Sequence, residues 1–141
     1  MHVDGEASLW CRRCCARYVI PVKVVEVSRV AVVVFYVRAG QTIAPRLERV
    51  VLFAPRLLSL ELANTCLKKM RRDPARNADW VTRFHLRNSF GIQEHSIDPG
   101  EGFALARTTC LVVYDASYLW LARHLGAELV ALDPQHERAV V

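Results

Sequence analysis

Short valine-rich runs, each closed by turn residues and alternating with stretches of helical spacing, constrain this chain more than any other feature. Residues 22–27 follow Pro21 and read as a buried strand. Residues 50–53 read as a second, closed by Ala54-Pro55. Residues 92–97 form a weaker third, between Gly91 and Asp98-Pro99-Gly100. Residues 128–132 form a fourth, between Gly126 and Pro134. The stretch Leu57–Arg72 has apolar residues at 57, 58, 60, 62, 63, 66, 67 and 70, a 3.6-residue period. Its closing Lys69, Arg71 and Arg72 suit the negative end of a helix dipole. Residues 75–86 continue as a second helix after Pro74, and residues 115–125 form a third that Gly126 stops as a left-handed cap.

The run at 30–37 is almost entirely β-branched or aromatic, so propensity alone favours a strand. Only Ser28 and Arg29 separate it from residues 22–27, and that turn lacks the Gly, Asn or Asp that tight hairpins want. Strands that alternate with helices elsewhere favour a parallel sheet with crossovers. The run is therefore expected to be a buried helix.

Composition narrows the class. The chain has 141 residues, enough for one domain of ordinary size. Its longest unbroken apolar run is eight residues, far short of the roughly 20 that span a bilayer, so no membrane association is expected. The first residues carry Asp4, Glu6, Arg12, Arg13 and Arg17 without an apolar block, unlike a secretory leader, and a cytoplasmic setting is expected. Lys plus Arg exceed Asp plus Glu by five, which suits nucleic acid or an acidic protein without choosing between them. The five cysteines form no disulfide framework of even count. Cys11, Cys14 and Cys15 supply only half of a zinc site, so a reduced thiol cluster is the better reading.

The acidic residues fall in a pattern. Glu26 and Asp133 stand at strand ends, Asp115 at a helix start, and Glu61 in the first turns of another helix. In an open α/β sheet such positions converge beyond the carboxyl ends of the strands. Converging carboxylates repel unless a cation holds them, and all-oxygen donor sets suit Mg²⁺ or Mn²⁺. Taken singly, Asp115 could cap a helix, Asp133 start a turn and Glu61 face solvent. Glu26 is harder to dismiss, because an unpaired charge beside Val24, Val25 and Val27 costs several kcal/mol if buried.

The segment from Tyr114 to Ala122, with the Leu125-to-Asp133 stretch that follows, closely resembles the C-terminal half of a PIN domain, and more narrowly the VapC toxins of toxin–antitoxin pairs. The segment from Ala54 to Asn64 resembles the family's second motif, with its Glu-x-x-Asn. The resemblance covers residues 22–141 and implies a three-layer α/β/α sandwich around a central parallel sheet of four to five strands. Residues 1–21, with the cysteine cluster, match nothing in the family and are expected to be a poorly ordered extension. The resemblance further implies an endoribonuclease that cuts RNA with metal-activated water. Glu61, Asp115 and Asp133 match the family's acidic positions, and Asn64 its asparagine. Glu26 stands where the family has Asp, and Ser28 matches the hydroxyl residue after it. Mg²⁺ or Mn²⁺ is thus expected on Glu26, Glu61, Asp115 and Asp133, with Ser28 and Asn64 behind them. Lys68, Lys69, Arg71 and Arg72 are candidate phosphate contacts, with a solvated helix end as the plainer reading. The implied partners are RNA, a cognate antitoxin and a second copy of the chain.

The sequence departs from the family in two informative places. Ala131 replaces a frequent Thr or Ser. Glu26 is one methylene longer than Asp, and a misplacement of about 1 Å can cost on the order of 10²-fold in rate. A PIN-like protein with weakened or lost catalysis, acting by binding RNA or an antitoxin, is the alternative. A flavodoxin-like nucleotide domain fits poorly, because no glycine-rich loop follows the first strand.

Overall fold

In the computed structural model, residues 6–10, 17–35 and 49–130 are described, the first segment and residues 17–20 by their backbone alone. The strands are β1 (Glu6–Trp10), β2 (Arg17–Val25), β3 (Val51–Pro55), β4 (Gln93–His95) and β5 (Glu128–Val130). The helices are α1 (Val27–Phe35), α2 (Leu57–Arg72), α3 (Asn77–His85), α4 (Pro99–Thr109) and α5 (Val113–Leu125). Strands β4, β3, β2 and β5 lie in that order in a parallel sheet. Helices α1, α2 and α3 pack on one another, while α5 lies across β2, β3 and β5 with α4 behind it. The architecture is a three-layer α/β/α sandwich.

A central strand of such a sheet is covered on both faces and needs apolar residues on both. Val24 and Val25, adjacent in sequence and so on opposite faces, are both fully buried. Parallel pairing of β2 with β3 also demands a crossover, since no tight turn joins parallel strands. That demand overrides the β propensity of the 30–37 run. The chain turns helical directly after Glu26, whose carbonyl accepts from the Arg29 and Val30 amides. Val30 and Val34, one turn apart, then enter the core.

Three regions depart from the sequence expectation. The first strand begins at Arg17, not Val22, and its leading half pairs antiparallel with β1, where only an unstructured extension was expected. Pro21 marks the change of partner: Glu6 is opposite it in one ladder, and the parallel ladder with β3 starts at Val22. A residue without an N–H is best tolerated at such a junction. Cys11, Cys14 and Cys15 lie outside the described residues. The second departure is α4, for which the sequence reading assigned only a turn. Asp98 caps it by accepting the Glu101 amide at 3.1 Å, with Pro99 in the first turn. The helix expected over 75–86 is instead a 3-10 turn, α3 and a second 3-10 stretch, Leu86–Phe90.

Candidate active site

Glu26 is the first residue beyond β2. The 25/130 register places it against the end of β5, and its amide donates to the Val130 carbonyl at 3.0 Å. The residue is only 6% exposed. Ser28, in the first turn of α1, donates its hydroxyl to Glu26 Oε2 at 2.7 Å. A buried carboxylate thus has at least one charge-assisted partner, as burial requires.

Glu61 comes from the second turn of α2. That helix is oriented by Leu58, Leu62 and Cys66, which recur along its buried stripe. Glu61 Oε2 accepts the Tyr118 hydroxyl at 2.6 Å. Burial raises the Glu61 carboxyl above its ordinary range; the Tyr118 hydrogen bond opposes this, and the charges of Asp115 and Glu26 add to it. Asp115 stands in the first turn of α5, where a helix dipole favours negative charge. Tyr118, one turn further on the same face, is 1% exposed. Burial, the bond to Glu61 and the fields of Glu61, Glu26 and Asp115 all push its hydroxyl far above the usual phenol range.

Glu61 and Tyr118 therefore both feel the charges of Glu26, just beyond β2, and Asp115, at the start of α5, at the carboxyl end of the sheet. Among the described residues, no three His, Cys, Asp or Glu side chains close tightly enough to hold a metal ion together. Asp133, the fourth expected acid, lies outside the described residues. The all-carboxylate donor chemistry suits a hard cation, and the upward push on Glu61 marks a place where added positive charge would be favourable.

Beside Glu61 opens a cavity of about 380 Å³ lined by Leu57, Leu60, Asn64 and Tyr114. Asn64 thus shares a surface with Glu61. Leu60 is 75% exposed and Tyr114 65%, so this rim is apolar and open. The basic run is elsewhere. Lys68, Arg71 and Arg72 are exposed near the last turns of α2, and Lys69 Nζ lies 5.1 Å from the Trp80 ring centre. At 1.5 Å per residue, the run begins about 10 Å along the axis from Glu61. Tyr118 is the residue the sequence reading missed. Its spacing from Asp115 and its hydroxyl were nonetheless visible signals.

No family model matches the sequence, and no curated protein does. Among solved structures, the chain is similar to PAE2754 from Pyrobaculum aerophilum, with a TM-score of 0.67 and 21% identity. The match covers 83% of this chain and 86% of that one, and at this identity it speaks to the fold alone.

Proposed function

We propose that this chain is a PIN-like, metal-dependent endoribonuclease of the VapC type, the toxin of a toxin–antitoxin pair acting in the cytoplasm. The observation that carries the reading is that Glu61, bonded to Tyr118 on the helix that delivers Asp115, feels the charges of Asp115 and Glu26 at the carboxyl end of a parallel sheet. That is where open α/β sheets place their sites. Glu26, Glu61 and Asp115 would hold Mg²⁺ or Mn²⁺, together with Asp133 from the chain beyond β5. When bound, such an ion supplies an acidified water and neutralises phosphodiester charge.

The chain's own residues prepare that chemistry. Ser28 holds one oxygen of Glu26 and so fixes the orientation of that carboxylate. The α5 dipole offsets part of the charge gathered at Asp115. Asn64, on the rim beside Glu61, is placed to hydrogen-bond a nucleotide or a ligand oxygen. The apolar, exposed rim of Leu60 and Tyr114 suits a protein partner, either an antitoxin segment or a second copy of the chain. The alternative of weakened catalysis is favoured by one observation: the three acids do not close on a single point among the described residues.

Mn²⁺ titration by calorimetry, run beside cleavage of single-stranded RNA, separates the two. Wild type is expected to bind Mn²⁺ and cut RNA, Asp115→Asn to lose both, and Glu26→Asp to bind more tightly and cut faster. A wild type that binds Mn²⁺ without cutting supports the weakened form. Absence of both binding and cleavage in wild type and Glu26→Asp rejects the metal site.

A further inference from the structure

We infer that Tyr118 is a positioning residue for Glu61: its buried hydroxyl holds one carboxylate oxygen so that the other stays aimed at the acid cluster. The inference rests on the metal-site reading above and adds a residue to it.

The geometry carries it. The Tyr118 ring is packed in the core, so the hydroxyl has little freedom. It meets Glu61 Oε2 at 2.6 Å, in the range of charge-assisted O–H···O⁻ bonds. A carboxylate offers two oxygens with about four lone-pair sites, so one bond leaves the second oxygen open. The anchor also comes from the helix that delivers Asp115, one turn earlier on the same face. Moving α5 would move an acid and the anchor of its neighbour together. The parallel at Glu26 is instructive. It too is a glutamate, long and rich in rotamers, and it too is held through Oε2 by a hydroxyl, that of Ser28. A glutamate unheld in this way would sample orientations that direct its charge away from the other acids.

The plainer explanation is that a buried phenol needs some acceptor. The two differ in what Tyr118→Phe does, because that change keeps the ring and deletes the anchor. Positioning predicts that Mn²⁺ affinity of the full chain, read by calorimetry, falls about 10-fold or more, as loss of an outer hydrogen bond to a metal ligand usually does. RNA-cleavage kcat should fall while KM holds. In a Glu61→Gln background the same change should weaken Mn²⁺ binding no further, since the group it aims is already altered. A wild type that binds Mn²⁺ and a Tyr118→Phe that binds it equally well would overturn the inference while leaving the metal site intact. An equal loss in both backgrounds would assign the effect to general loosening of the core and also overturn it. A wild type that binds no Mn²⁺ removes the metal site and the inference with it. Circular dichroism checks that each variant is folded. If Tyr118→Phe is not, Glu61→Asp tests the same point: its shorter side chain cannot reach the anchor, and unchanged Mn²⁺ affinity would overturn the proposal.

Discussion

Glu61 is charged at a cost the fold does not fully relieve. Its carboxyl is raised mainly by burial, then by Asp115 and Glu26, with Tyr118 pulling the other way. A folded-state pKa above the unfolded one means that the native state binds the proton more tightly. The stability Glu61 contributes is therefore complete below the ordinary glutamate value of 4.5 and is lost as pH rises through the raised folded value. Glu61→Gln keeps an acceptor for Tyr118 and removes the charge. In metal-free buffer it should melt above wild type at neutral pH, and the gap should close as pH falls toward 4.5. A constant gap across that range, measured by thermal melts, would contradict the assignment. The acids themselves were legible in the sequence because carboxylates at strand ends and helix starts stand out by position. Tyr118 was not, because its partner lies 57 residues away and only the packed fold brings the two together.

At the scale of elements, legibility followed the strength of the local pattern. Helix α2 was readable to its ends, since a long period and a basic last turn agree. Helix α1 was readable only through topology: its valines favour a strand, and the parallel pairing of β2 with β3 overrides them. Helix α4 was missed because Asp98-Pro99-Gly100 looks like a turn, and its hydrophobic periodicity is weak. Asp-x-x-Glu from Asp98 to Glu101 was nonetheless a capping signal, and the cap is formed. Gly102 lies close against Ser117 and Val113, where an added Cβ would approach the Ser117 hydroxyl to 3.4 Å. So α4 is anchored to the helix that carries Asp115. Asp98→Ala should cost about 1 kcal/mol in urea unfolding, the usual worth of such a cap. No loss would mean that packing on α5, without the cap, fixes the start of α4. The hairpin of β1 with β2 was unreadable for another reason: strand pairing depends on a partner, and nothing local announces it.

Across the whole molecule, the charge is distributed against its average. The chain carries a net +5, yet the carboxyl end of the sheet collects acids from three elements that reach it from different layers. The sandwich brings these charges together only when folded, so their repulsion is a native-state cost. A cation that binds them is correspondingly a native-state ligand. Binding of that kind raises stability by about 2.7 kcal/mol when free ligand is 100 times Kd. For a domain of this size that corresponds to a melting shift on the order of 5–10 °C. Wild type should therefore melt higher in saturating Mn²⁺ than in chelator. Asp115→Asn should reverse the order of the two proteins. Without metal it relieves the repulsion on Glu61 and should melt no lower than wild type; with metal it lacks a ligand and should fall below it. Scanning calorimetry of both proteins in both buffers reads this crossing directly. Curves that keep the same order in Mn²⁺ and in chelator would show that the acids meet without forming a common cation site.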